Sequence, residues 1–291
     1  MAEAPLPPGL DRAGYTKALA ALRHTLGEAK VLDIDLDRET YLDPYALGDG
    51  LDHQASAALI PESVEEVQAI VRIANRHHLP LWPVARGRNL GYGGAAPVMA
   101  GSAIIDMTRM NRILDVDTHY AHTTIEPGVG FYQMHEHLTA NKIPLWMSTP
   151  GNGWGSILGN ALERGIGYTP YGDNTSKLCG LEVVLPTGEI VRTGMGAMAG
   201  NKTWAHYPYG FGPGWDQMFV QSNLGVVTKA NMWLMPEPEL SFHANVNLPK
   251  MEVYSFAMNR AQHTWQMVLH EPPAEWASAL LQAALGRFST F

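Results

Sequence analysis

GRNLGYGGAAP, residues 87–97, places four glycines within eight positions and closes on a proline. The stretch before it, LPLWPV (Leu79–Val84), carries Pro80 and Pro83, which forbid helix, so its apolar residues read as an extended strand. The glycine segment therefore leaves a strand end. Glycine permits positive φ and lets a ligand come close to main-chain amides, and consecutive amides in such a turn form a concave nest for phosphate oxygens. The spacing lacks G-K-[ST] and does not match G-x-G-x-x-G, which excludes a Walker A loop and the dinucleotide fingerprint of doubly wound folds. A second cluster, TPGNGWGSILGN (Thr149–Asn160), holds Gly151, Gly153, Gly155 and Gly159 and runs into the helix-like SILGNALERG. Two such loops, each joined to an ordered element, suit a long diphosphate ligand lying across the domain.

Outward from these loops the chain mixes helices and strands. Residues Tyr15 to Gly27 carry Leu19, Leu22 and Leu26 at helical spacing with Gly27 as the C-cap. PESVEEVQAIVRIANRHHLP predicts a helix opened by a Ser63/Glu66 capping box, with Val64, Val67, Ile70, Val71 and Ala74 on one face. GSAIIDM reads as a buried strand, Ala121–Ile125 as another, Glu126–Gly128 as a turn and Phe131–Ala140 as a helix. LEVVLPTGEIVRTG predicts a hairpin with a two-residue Thr187-Gly188 turn, and SNLGVVTKANMWLMP one more strand or pair ending at Pro236. Strict strand–helix alternation is missing, so the fold class is α+β. Beyond Pro238, ELSFHANVNLP is strand-like and Trp276–Phe288 reads as a short apolar helix.

A chain of 291 residues with 46% hydrophobic and 16% charged residues can bury a sizeable core. The formal charge of −8 argues against the basic footprint that nucleic-acid binding requires. One cysteine, Cys179, allows no internal disulfide and no thiolate metal cluster. The N-terminus lacks a basic region followed by an apolar run, and no window reaches eighteen apolar residues, so a soluble, cytoplasmic protein without a membrane span is expected.

Six ordered motifs carry a resemblance: RGRNLGYGGAAP, EPGV, GWGSILGNALERGIGYTPYGD, EVVLPTGEIVRTGMGA, YGFGP and QSNLGVVTKANMWLMP. Spread over Ala57 to Pro236, they resemble the FAD-binding domain of the vanillyl-alcohol oxidase and para-cresol methylhydroxylase flavoproteins, the 4-phenol-oxidising group that includes eugenol oxidase. The resemblance implies FAD, a flavin domain of two small subdomains with mixed sheet and helices, and a substrate-covering cap domain. On that basis residues 1–54 form an N-terminal segment, 55–238 the flavin domain and 239–291 the remnant of a truncated cap.

The same resemblance assigns site residues. Arg88, Asn89, Leu90, Gly91, Gly93 and Gly94 would wrap the pyrophosphate. Pro150, Gly151, Gly153, Gly155, Ser156 and Asn160 would line the flavin, and Glu126–Val129 with Gly225, Val226 and Val227 would hold the remaining contacts. Tyr92 corresponds to a phenol-contacting tyrosine and Tyr168 to one beside the reacting side chain, which makes both catalytic candidates. The family's acidic residue after the loop proline is replaced here by Gly151 and Asn152, and an amide cannot take a proton at neutral pH. The expected reaction is benzylic hydride transfer from a para-substituted phenol to flavin, through a quinone methide, with oxygen or a cytochrome as final acceptor. A homo-oligomer or a partner chain is expected. Two alternatives stand beside this: a non-catalytic FAD-binding remnant, and a fragment that needs a partner chain to supply the cap.

Other titratable residues carry blander expectations. His135 and His137 lie at i and i+2 on a helix and point apart, so no metal site is expected. His77 and His78 end a helix and cap it or face water. Asp106 and Glu126 close strands without an identifiable base role, and Cys179 reads as a buried small hydrophobe.

Overall fold

The computed structural model describes residues 5–34, 38–46, 50–89, 93–167, 169, 172–210 and 212–237. Residues 1–167 and 171–236 form one compact unit. The strand and helix expected beyond residue 238 lie outside the described residues, as do Leu90, Gly91, Tyr92 and Tyr168.

Two sheets organise this unit. The first has four strands in the order β1 (Val31–Leu32), β2 (Ala57–Leu59), β4 (Ala103–Asp106), β3 (Leu81–Val84); β2, β4 and β3 run parallel and β1 is antiparallel. Its residues alternate with the two-residue period of a strand. Ala57, Leu59, Ala103 and Ile105 face a core built with α1 (Arg12–Leu26) and α2 (Val64–His77), while Ala58 and Ile104 face the opposite side with Val84 and Ala95. Helix α1 brings Ala18, Leu19 and Leu22 to that core, and α2 brings Val67, Ile70 and Ala74. Pro83 is tolerated in β3 because this is an edge strand, paired on one side only.

The second sheet has five antiparallel strands in the order β5 (Ile113–Asp117), β6 (His122–Ile125), β10 (Val226–Trp233), β8 (Leu178–Val184), β9 (Ile190–Arg192). Helices α3 (Phe131–Ala140) and α4 (Ile157–Leu162) cover it, with Phe131, Met134, Leu138, Ile157, Leu158 and Ala161 against Ile125, Leu181 and Ala230. A two-stranded ribbon pairs β7 (Leu145–Trp146) with β11 (Met235–Pro236). Mixed sheets with helices on them make the α+β class expected from the sequence.

Local chemistry explains most boundaries. Ser63 caps α2 by accepting from the Glu66 amide, but the reciprocal bond is displaced: the Glu66 carboxylate accepts from the Glu62 amide at 2.7 Å rather than from Ser63. Gly27 ends α1 as expected, its amide donating to the Arg23 carbonyl at 2.8 Å. The strand expected from Leu79 begins at Leu81, because the Leu79 amide is held by the Ala74 carbonyl as part of the helix end.

The β8–β9 turn differs from the two-residue form. Pro186, Thr187 and Gly188 make the loop, with the Gly188 amide on the Leu185 carbonyl and Gly188 at φ 80°. Proline presets the first turn position and glycine alone takes the left-handed one at no steric cost. The Gly188 carbonyl accepts from Gln68 (2.6 Å) and Arg72 (2.8 Å) of α2, so the hairpin tip ties the second sheet to the helix that covers the first.

Strand β8 is buried along its whole length and includes Glu182. Burial raises the pKa of this carboxyl, but hydrogen bonds from Lys229 (2.7 Å) and Arg192 (2.8 Å) outweigh it and the net direction is down. A carboxylate with a depressed folded pKa stabilises the fold above its unfolded pKa, about 4.3, and that contribution is lost as pH falls through the folded value. Glu182→Gln is expected to cost about 3 kcal/mol at pH 7, since it leaves two cations facing an amide, and to narrow the gap from wild type below pH 4. Urea unfolding at pH 7 and pH 3.5 measures both; an equal cost at the two pH values contradicts the linkage.

Candidate functional site

Strands β3 and β4 are parallel neighbours, and the described residues of the eighteen-residue segment between them, Ala85–Ser102, contain no helix or strand. A crossover of this kind is normally filled by a helix, and long irregular loops in compact domains are concentrated at functional sites. This one leaves the carboxyl end of a parallel strand, where ligands of open α/β sheets bind. Gly87 takes φ 60°, and a Cβ there would stand 2.7 Å from the Ala95 side chain, so the loop folds back on itself at this point. Gly93, at φ 88°, has nothing within 4 Å of its Cβ position. The amides of Gly87, Arg88, Gly93 and Gly94 donate to no protein group among the described residues.

The second loop is stitched in from three sides. The Gly153 and Gly155 carbonyls accept from the Tyr132 (3.1 Å) and Phe131 (3.3 Å) amides at the start of α3, satisfying donors that a helix N-terminus leaves over. Ser156 caps α4 through the Gly159 amide and donates to the Pro127 carbonyl at 2.6 Å, and the Ile157 amide reaches the Val129 carbonyl. The Glu126–Val129 turn thus lies against the second loop.

Among the described residues, a side chain joins the first and second loops. Asn152 Nδ2 donates to the Arg88 carbonyl at 2.5 Å while its Oδ1 accepts from the Trp154 amide at 3.0 Å. Residues 64 apart in sequence are clamped by this amide. In the sequence Asn152 is no more than a possible donor.

The glycines of the second loop divide by role. Gly153 lies beneath the Tyr132 ring, where a Cβ would sit 2.6 Å from a ring carbon, and Tyr132 meets Trp154 edge-on at 5.2 Å. Gly151 faces open space, with nothing within 4 Å of its Cβ position. The amides of Gly151, Asn152 and Gly153 have no protein acceptor among the described residues.

Arg86, absent from the assigned residues although it opens the RGRNLGYGGAAP motif, anchors this region. Its Nη1 donates to the Gly128 carbonyl at 2.8 Å, and its buried Nε has no partner. Burial lowers its pKa first, the neighbouring Arg88 charge lowers it further, and Asp106 opposes both. The Glu126 carboxylate is fully engaged by the Arg112 amide (2.8 Å) and guanidinium (2.6 Å) and is 1% exposed, so it holds the turn and is not free to act as a base. Asp106 is similarly committed to Tyr41 and Thr108. Cys179 is buried, and burial raises its thiol pKa, as a structural cysteine requires.

Among the other assigned residues, Pro150 is half-buried at the start of the second loop, and Asn160 lies on α4, three residues after the first residue of that helix. Gly225 precedes β10, and Val226 and Val227 are buried in it opposite Val184 and Val183. No hydrogen bond among the described residues joins Gly225, Val226 or Val227 to the loop cluster. Among the described residues, no helix is long and apolar enough to cross a membrane.

The family profile described as FAD binding domain matches residues 55–194, a span that contains both glycine loops and the Glu126–Val129 turn. The 4-cresol dehydrogenase [hydroxylating] flavoprotein subunit of Pseudomonas putida is 40% identical over 235 residues, covering 80% of this chain and 45% of that protein. The chain carries the FAD-binding domain of the vanillyl-alcohol oxidase and para-cresol methylhydroxylase family. Two solved structures superpose closely on this domain. Substrate-bound p-cresol methylhydroxylase matches with TM-score 0.80 and 39% identity over 81% of this chain and 46% of its own. The 4-ethylphenol oxidase of Gulosibacter chungangensis matches with TM-score 0.79 and 38% identity over 81% and 45%. The chain spans less than half the length of the relatives it matches.

FAD fits the residues present. The flavin domain offers two sets of unpartnered amides, open space over Gly93 and Gly151, and two guanidiniums with no carboxylate in ion-pair contact among the described residues. Backbone amides stabilise a diphosphate without a basic protein, which reconciles the cofactor with a net charge of −8.

Proposed function

We propose that this chain is part of an FAD-dependent oxidoreductase that oxidises para-substituted phenols of the vanillyl alcohol, eugenol or 4-alkylphenol type. The observation that supports it most is the Asn152–Arg88 bond, which draws two amide-rich loops together beside the end of β3. Likeness at 38–40% to proteins whose names specify cresol or ethylphenol oxidation supports the substrate class.

Bound FAD would supply the hydride acceptor for the benzylic carbon; with the phenolic proton given up to solvent, the substrate would be left as a quinone methide that takes up water or loses a proton. The chain's own residues bind and orient. The amides of Gly87, Arg88, Gly93 and Gly94 hold the diphosphate, with Arg86 and Arg88 neutralising its charge. Those of Gly151, Asn152 and Gly153 face the ring system. Tyr92 and Tyr168 would donate toward the phenolic oxygen and so stabilise the phenolate form, from which hydride leaves most readily. With Glu126 and Asp106 committed elsewhere, no described carboxylate of these loops takes a proton. Electrons would pass to oxygen or to a partner subunit; the Pseudomonas relative is itself named as one subunit of an assembly.

Purified protein incubated with FAD is expected to be yellow and to bleach when 4-ethylphenol, eugenol or vanillyl alcohol is added without oxygen. Protein that stays colourless overturns the assignment of the cofactor. A bound flavin that none of these phenols reduces overturns the substrate class and favours a non-catalytic remnant or a chain that needs its partner.

A further inference from the structure

Lys177, in the turn before β8, is 5% exposed and has no carboxylate in ion-pair contact among the described residues. A buried ammonium without a counter-ion is costly unless hydrogen bonds disperse its charge. Its one protein acceptor among the described residues is Asn174 Oδ1. The buried Asn174 amide in turn donates from Nδ2 to Asn160 Oδ1 at 2.6 Å. An ammonium can only donate, which fixes the orientation of both amides: oxygen toward Lys177 in each, nitrogen away. The chain therefore ends on Asn160 Nδ2, a donor with no protein acceptor among the described residues.

The relay is held rigidly. The Asn174 main-chain N–H donates to the Gly165 carbonyl, the Gly165 main-chain N–H to the Asn160 main-chain carbonyl, and Thr175 Oγ1 to the Ala161 carbonyl at 2.6 Å. The Asn160 amide group lies over Gly165, where any Cβ would collide with it. Asn160 itself rides on α4, four residues after the Ser156 cap that closes the second glycine loop.

We propose that Lys177 is a positioning residue that acts through Asn174 to polarise the Asn160 amide, which donates from Nδ2 to an acceptor atom of the bound flavin. The proposal rests on the FAD reading above. Hydrogen bonds in a chain strengthen one another in a low-dielectric interior, and a charged donor at its head strengthens all of them. Burial, opposed only by the Asp173 carboxylate on the same turn, lowers the Lys177 pKa to about 8. The other titratable group against this turn is Cys179 of β8, whose thiol donates to the Lys177 carbonyl and whose own pKa is raised, so it stays neutral. The polarising charge is present below pH 8 and is lost as pH rises through it.

Fluorescence titration of FAD into the ligand-free protein between pH 6.5 and pH 9 tests the relay without turnover. In wild type, affinity is expected to fall about tenfold across this range. Lys177→Met is expected to bind about tenfold more weakly at pH 6.5 and to lose the pH step. It remains folded, since an apolar side chain replaces a buried charge. Lys177→Arg keeps the charge and is expected to bind tightly at both ends of the range. Asn160→Ala should weaken binding as Lys177→Met does, with no further loss in the double variant. A Lys177→Met titration that superimposes on wild type at every pH overturns the relay while leaving the FAD reading intact, and failure of wild type itself to bind FAD overturns both.

Discussion

Gly151→Val is expected to leave the thermal transition of the ligand-free protein within about 2 °C of wild type and to weaken FAD binding a hundredfold or more. The first half follows from space and conformation. Among the described residues nothing lies within 4 Å of the Cβ position, and Gly151 is absent from the residues at positive φ, so a side chain meets neither a described neighbour nor backbone strain. The second half follows from the proposed role of this loop. Two unencumbered methyl groups at this point would stand where the ring system is proposed to approach the Gly151–Gly153 amides. The pair of measurements separates cofactor binding from folding more sharply than any change at Gly153, which carries the Tyr132 ring and would disturb both. Calorimetric FAD affinity within threefold of wild type would show that the ligand does not pass over this loop.

The opposite profile is expected at Gly128. A Cβ there would meet the carbonyl oxygens of Thr108, Met107 and Met110 at 2.5, 2.7 and 2.8 Å, all main-chain atoms that no rotamer change can move aside. The Gly128 amide donates to that Met110 carbonyl at 2.7 Å, and its own carbonyl receives Arg86. Gly128→Ala must push apart the turn after β4 and the turn after β6, the contact that joins the two sheets beside the site. A loss of about 3–5 kcal/mol is expected, lowering the transition by roughly 8–15 °C in a domain of this size. A shift under about 2 °C in a thermal melt would show that these turns slide without cost.

The two glycines look alike in sequence, each within a Gly-rich turn that follows a strand, and only their surroundings tell them apart. The same contrast runs through the fold. Helix 64–77 is legible because Ser63 supplies a cap and five apolar residues keep a 3.6-residue period. Helix 131–140 is legible to the residue. Strands β1 and β7, two residues each, are not, because two residues display no period and exist only through their partners. The β8–β9 hairpin is legible in place but not in turn type: Pro186 lengthens the loop by taking the first turn position and leaving Gly188 the left-handed one.

At the site, glycine spacing names both loops, and family resemblance names their ligand. Arg86, the Asn152 clamp, the commitment of Glu126 to Arg112 and the Lys177–Asn174–Asn160 relay are beyond its reach, for they join residues whose separation along the chain carries no signal. Residue types and local order determined which backbone could curl into amide nests, because φ freedom and helix capping are properties of a few neighbouring residues. Which nests face a ligand, which carboxylates remain available and which lysine is buried was decided by tertiary packing, because burial and charge pairing depend on atoms brought together from distant parts of the chain.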